Sequence, residues 1–386
     1  MIAGGVWRDV VGQPAAVAEL GRAATDPAAM THAWLFTGPP GSGRSNAARA
    51  FAAALQCPDG GCGECQACRT VLHRTHADVR EVVPEGLSIS VAEMRTLVQL
   101  AARRPSTGTW QILIITDADR LTEGAANALL KAVEEPADRT VFLLCAPSDH
   151  PEDVPVTIRS RCRLVPLRTP APEAVAEVLV ERDGIEPDAA SWAAAVSGGH
   201  VGRARRLARD PEARERRERI LGVPTRLRHL GDAFAFADSL VRSAEAEAAG
   251  VSETRDAAER EELSVAMGAG GTGKGAATAA RGAKAAEREL ERRQKSRNTR
   301  TQRDALDRAL VDLAGFYRDV LVAGSKAAVA LGNPDREDDI RLAAREWTPE
   351  STLRRLEAVL ACREALELNV KPRIAVEAMM TALQQG

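Results

Sequence analysis

Short apolar runs alternate with stretches of helical spacing through roughly the first 165 residues of the chain. Ala33-Trp-Leu-Phe-Thr37, Val79 to Val83, Gln111-Ile-Leu-Ile-Ile-Thr116 and Thr140-Val-Phe-Leu-Leu-Cys145 predict strands, with Arg163 to Leu167 as a fifth. Their apolar continuity suits strands covered on both faces, as in a parallel sheet flanked by helices. The alternation therefore predicts an α/β domain over residues 1–168, with Ser45 to Leu55 as the helix after the first strand. Thr169-Pro-Ala-Pro172 punctuates the pattern, and helical spacing continues to about Pro224, which predicts a small helical domain over 169–225. A third, all-helical domain over 226–386 follows from Leu306, Leu310, Leu313 and Phe316 at helical intervals. Thr348, an N-cap set before Pro349, opens a further helix there.

Within the last domain, residues 243–303 shift toward Ala, Gly, Glu and Arg and end in a basic run from Arg281 to Arg303. Few side chains there can anchor a core, so the stretch reads as a flexible or solvated helical insert. It contains Gly268-Ala-Gly-Gly-Thr-Gly273-Lys274-Gly275, an imitation of a phosphate-binding loop. No predicted strand precedes it, and Gly275 stands where a Ser or Thr would reach Mg²⁺, so it reads as a glycine-rich segment.

The 386 residues carry a formal net charge of −2, so no global positive field draws the chain to nucleic acid. Any DNA contact must be local or shared with partners; a zinc-dependent nucleic-acid-binding module, built on the cysteines and the basic run, is the rival reading. The N-terminal Met1-Ile-Ala-Gly-Gly-Val-Trp-Arg-Asp lacks the basic-then-apolar layout of a secretory signal, and nowhere do 18 apolar residues run together. The expectation is a cytoplasmic protein with no membrane association, whose seven cysteines stay reduced.

Four of these, Cys57, Cys62, Cys65 and Cys68, fall within a dozen residues, and Gly60, Gly61 and Gly63 let the backbone wrap. Zn²⁺ takes four thiolates tetrahedrally with no position left for chemistry, so the spacing predicts a structural zinc site. An iron–sulfur cluster is the alternative. His73 and His76 read as surface or packing residues rather than ligands. Cys145, Cys162 and Cys362 read as buried small hydrophobes.

Gly38-Pro-Pro-Gly41-Ser-Gly43-Arg44-Ser45 lies between a predicted strand and a predicted helix, the context a phosphate-binding loop requires. Arg44, however, stands where the lysine of such a loop belongs, and a planar guanidinium on a longer arm cannot replace a compact ammonium. A hydrolysing site of this class also needs a neighbouring strand ending in consecutive acids, for Mg²⁺ and for the attacking water. Here the matching strand ends in Thr116-Asp117, a neutral hydroxyl followed by an acid one methylene shorter than glutamate. Both changes weaken one Mg-phosphate unit, which predicts no efficient ATP hydrolysis in cis. Gly38, Gly41, Gly43 and Ser45 survive and leave nucleotide binding without turnover open; a working ATPase is the alternative.

In order along the chain, Val10-Val-Gly-Gln13, His32-Ala-Trp-Leu-Phe-Thr-Gly38, Asn127-Ala-Leu-Leu-Lys-Ala-Val-Glu-Glu-Pro136 and Ser160-Arg161-Cys162 resemble the bacterial clamp-loader AAA+ family. Specific motifs cover about residues 8 to 210. The resemblance implies an AAA+ domain with a zinc module at 57–68, a helical lid at 169–225 and a C-terminal collar at 226–386. It further implies a subunit of the DNA polymerase III clamp loader, assembled with gamma/tau motor subunits and a delta subunit to load the sliding clamp on primed DNA. Motor subunits of this family keep the lysine and the acidic pair, so the departures at Arg44 and Thr116 imply a structural, non-hydrolysing member. Gly202, which falls where the lid sensor arginine belongs, agrees with this. Arg161 is implied to act in trans, reaching the γ-phosphate held by a neighbouring subunit.

Overall fold

The computed structural model describes residues 4–266 and 276–386; the glycine-rich Gly268 to Gly275 lies outside them. Two compact units form, one ending at Asp210 and the other starting at Pro211. The first is built on five strands: β1 (Ala33–Thr37), β2 (Val79–Val82), β3 (Gln111–Ile115), β4 (Thr140–Ala146) and β5 (Arg163–Pro166). Their order is β2-β3-β4-β1-β5, and every pairing is parallel. The register sets Leu35 beside Leu144 and Ile112 beside Val141.

Helices α1 (Pro14–Thr25), α2 (Arg44–Gln56), α3 (Gln66–Leu72), α4 (Val91–Ala101), α5 (Glu123–Glu134) and α6 (Val156–Arg159) flank this sheet. One face packs Trp34, Phe36 and Ile114 against Phe51 and the alanines of α2. The other packs Leu35, Leu113 and Ile115 against Met94 of α4 and Leu129 of α5. Burial on both faces is what the continuous apolar runs required. Local chemistry starts these helices: Ser90 Oγ accepts from Glu93 N at 3.2 Å before α4, and Thr122 Oγ1 accepts from Ala125 N at 3.3 Å before α5. Helices α7 (Pro172–Glu181), α8 (Pro187–Val196) and α9 (Val201–Arg209) complete the unit.

The second unit is helical among its described residues: α10 (Pro211–Leu221), α11 (Val223–Arg226), α12 (Leu230–Ala266), α13 (Ala276–Ser325), α14 (Glu337–Glu346), α15 (Pro349–Glu367) and α16 (Pro372–Gln385). Leu306, Leu310, Leu313 and Phe316 of α13 are fully buried at its centre. Thr348 Oγ1 accepts from Ser351 N at 3.1 Å ahead of Pro349 and so caps α15. Helix α10 belongs to this unit because Arg217, 4% exposed, points inward to Asp335 at 2.5 Å and Asn333 at 2.7 Å.

The described part of the 243–303 stretch is two helical arms, the later part of α12 and the earlier part of α13. They run antiparallel, since Glu247 meets Arg308, Asp256 meets Arg297 and Arg260 meets Gln294. Their contact is polar as much as apolar, with Gln294 and Ser252 buried as well as Ala248. No helix among the described residues is long and apolar enough to cross a membrane.

Candidate functional site

The glycine loop leaves the C-terminal end of β1 and runs into α2, with β4 between it and the end of β3. Gly43, the N-cap of α2, has φ 87°, a left-handed value that a side chain disfavours. At Gly41 the requirement is space, for a Cβ there would lie 2.6 Å from Cβ of His200, the N-cap of α9. Ser45 stands in the first turn of α2 beside Arg44. Gln13 braces the loop from below: its Nε2 donates to Ser42 O at 3.3 Å and its Oε1 accepts from Arg168 N at 3.1 Å.

Arg44 turns inward. Its Nη1 donates to the carbonyl of Gly38 at 2.7 Å, so the guanidinium ties together the two ends of the loop that should enclose a phosphate. Thr116 is likewise committed to the protein, because its N and Oγ1 both donate to Val82 O, at 3.2 and 3.0 Å. Asp117 follows as the N-cap of a short turn that holds Asp119. Burial pushes the Asp119 carboxyl up from its ordinary pKa and the charge of Asp117 adds to this, while Arg120 and Arg44 oppose it. Gly38, Gly41, Gly43, Arg44, Ser45, Thr116 and Asp117 thus share one end of the sheet. The inward turn of Arg44 and the seat of His200 on Gly41 carried no signal in the sequence.

Arg161 lies elsewhere. It precedes β5, whose Arg163 pairs with Trp34 near the start of β1, whereas the glycine loop follows the end of β1. A five-residue strand puts about 17 Å of sheet between the two. Arg161 therefore cannot serve the loop of its own chain. Its Nη2 meets Glu134 Oε1 at 2.7 Å, and its Nη1 donates to Thr157 O at 2.8 Å and to Ser160 Oγ at 3.2 Å. The flanking arginines are tied down differently: Arg159 to Asp149, and Arg163 to Glu19 while stacking on Trp34.

The four cysteines converge. Cys57 closes α2, Cys65 caps α3 and Cys68 lies inside α3, and all four sulfurs lie within 4.8 Å of one another. Cys57 Sγ stands 3.6 Å from Cys62 Sγ and 3.7 Å from Cys65 Sγ. Thiolates about 2.3 Å from a tetrahedral Zn²⁺ have edges of about 3.8 Å, so the cluster fits one such ion. Backbone N–H groups of Cys62, Cys65 and Cys68 each point at the preceding cysteine's sulfur, at 3.4 Å, and stabilise thiolate charge. Burial works to raise the Cys57 thiol, but the amides of Cys62, Gly61 and Asp59 outweigh it and lower it to about 7. His73 and His76 are not part of the cluster; His76 Nδ1 accepts from Asp78 N at 3.1 Å. Burial pushes the thiols of Cys145, Cys162 and Cys362 up to about 12, the state of inert packing residues.

The first unit thus carries a strand–glycine loop–helix at one end of its sheet, an arginine at the other and a four-cysteine knuckle behind α2. The family described as "DNA polymerase III, delta subunit" matches residues 12–171. DNA polymerase III subunit delta' of Bacillus subtilis is 33% identical over 211 residues, covering 54% of this chain and 63% of that one. Subunit delta' of Pseudomonas aeruginosa is 34% identical over 215 residues, covering 54% and 65%. Subunit tau of Bacillus subtilis is 36% identical over 161 residues, covering 41% and 28%. The chain thus spans less than two thirds of the length of these relatives. These matches support a clamp-loader delta' subunit of DNA polymerase III.

Proposed function

We propose that this chain is a non-hydrolysing subunit of the DNA polymerase III clamp loader, which completes a neighbour's ATPase site with Arg161. The observation that carries the reading is the bond from Arg44 Nη1 to Gly38 O, because it spends the loop's one cation on the loop itself. Thr116 in place of an acid agrees with it. The separation of Arg161 from its own glycine loop supports action in trans, where a guanidinium stabilises charge developing on a transferred phosphoryl group. In this reading the lid expected at 169–225 acts through α7, α8 and α9, while α10 goes with the collar at 226–386 that carries the 243–303 insert, and the four cysteines hold a structural zinc. The partners are gamma/tau and delta subunits, with the sliding clamp and primed DNA met in the assembled complex. A cytoplasmic location goes with that role.

Two measurements test the reading. The isolated chain should hydrolyse ATP no faster than background, and Arg44→Lys with Thr116→Asp should introduce nucleotide binding or turnover. Brisk hydrolysis by the unaltered chain would instead favour an active ATPase. In the reconstituted complex, Arg161→Ala should lower turnover about 10-fold or more at saturating DNA and clamp while leaving assembly intact. Unchanged turnover would remove the finger.

A further inference from the structure

We infer that Glu134 is a positioning residue for Arg161: it is the resident anion that the guanidinium leaves when it engages a phosphate on another subunit. The inference rests on the trans role proposed for Arg161 and concerns how that role is regulated.

Glu134 is the last residue of α5, and Arg161 lies 27 positions on, between α6 and β5, so the pair joins two separate segments of the chain. A helix C-terminus carries partial negative charge and disfavours a carboxylate, which leaves Glu134 in need of a cation. Arg161 supplies it at 2.7 Å. The remaining contacts of Arg161 go to a backbone carbonyl and a hydroxyl, Thr157 O and Ser160 Oγ, neither of them charged. Among the described residues, Glu134 is thus the formal charge that this guanidinium meets. Both side chains are about two-fifths exposed, 40% for Arg161 and 39% for Glu134, so an incoming anion can reach the pair.

A guanidinium presents planar paired donors that suit carboxylate and phosphate alike. Its Nη groups cannot face Glu134 and a phosphate in full at once, and a carboxylate left beside an arriving phosphate repels it. Engagement thus exchanges one anion for another on the same donors. Because the resting pair is half solvated, releasing it is cheap, and the exchange is a modest brake rather than a lock. The brake acts on binding of the phosphate, in ground state and transition state alike, so its signature is in KM more than in kcat.

The test uses the full chain in the reconstituted clamp-loader complex with primed DNA and clamp, with ATP as the probe. Steady-state kcat and KM are measured for the unaltered chain, Glu134→Gln, Glu134→Asp, Arg161→Ala and the double variant. Glu134→Gln should lower the apparent KM for ATP by about two- to fivefold, the equivalent of an exposed ion pair, with kcat changed by less than about twofold. Glu134→Asp, which keeps the charge, should stay near the unaltered KM. In the Arg161→Ala background, Glu134→Gln should have no further effect. The inference is overturned if Arg161→Ala lowers turnover yet Glu134→Gln leaves KM unmoved, or if the Glu134→Gln effect persists without Arg161. Should Arg161→Ala itself leave turnover unchanged, the trans role fails and takes this inference with it.

Discussion

Arg44 spends one of its five N–H donors on the carbonyl of Gly38, in its own loop. That contact, which pairs the guanidinium with the start of the loop, is what the geometry adds to the sequence. Asp78 is a second charge satisfied by its own chain, and more completely. It is 2% exposed, and its carboxylate accepts from the backbone of Ser106, Thr107 and Gly108, each at 2.7 Å, and from the hydroxyls of Ser106 and Thr107. Burial works to raise its pKa, but these bonds outweigh it and hold the group well below the usual carboxylate range. The stability it contributes is therefore present above the ordinary aspartate pKa of about 4 and is lost as pH falls toward its own lower value. Asp78→Asn should cost about 2–3 kcal/mol at neutral pH in urea unfolding, and should flatten the acid limb of the stability profile. An unchanged acid limb would contradict this account.

The four cysteines were read as one site from spacing alone, and the sulfurs do converge. Spacing could not show what else the knuckle does. Gly61 O accepts from Val6 N at 3.0 Å, and a Cβ on Gly5 would lie 2.2 Å from the same oxygen, so the N-terminal turn is seated on the knuckle. Arg74, just beyond α3, shares the buried Glu81 of β2 with Arg49 of α2. The element thus joins the chain's start, the helix after the glycine loop and the edge strand. One zinc per chain is the expected content by atomic emission, and Cys62→Ser should abolish it. Losing the knuckle should also lower the melting temperature, since a cost of ~2 kcal/mol in a unit of this size shifts it by about 4–8 °C. In the insert, residues with little apolar content make paired helices, because Arg297 meets Asp256 and Glu259 at 2.6 Å each across the arms. Those partners stand 41 and 38 positions away, beyond the reach of any local pattern.

Two units in one chain give the molecule two cores to lose, and unfolding should be tested for two transitions. Arg217 belongs to the second core. With Asp312 at 3.8 Å and Asp335 at 2.5 Å it is a buried cation among acids, and removing it strands their charge. Arg217→Met should therefore cost about 3–5 kcal/mol in urea unfolding, with the loss confined to the transition of the second unit. A change in the first transition would mean that this helix serves the other core.

Apolar periodicity by itself determined the parallel sheet and the helical remainder, because burial on both faces demands continuous apolar strands, and the glycine motif determined the loop between β1 and α2. Cysteine spacing determined the metal-sized cluster, since four thiols on so short a segment have little room to separate. The tertiary structure alone decided that Arg44 faces inward, that His200 sits on Gly41, and that Arg161 rests on Glu134 at the far end of the sheet. Those facts depend on where side chains 6 to 159 positions apart are brought together, and the strand order that brings them together is a property of the packed chain.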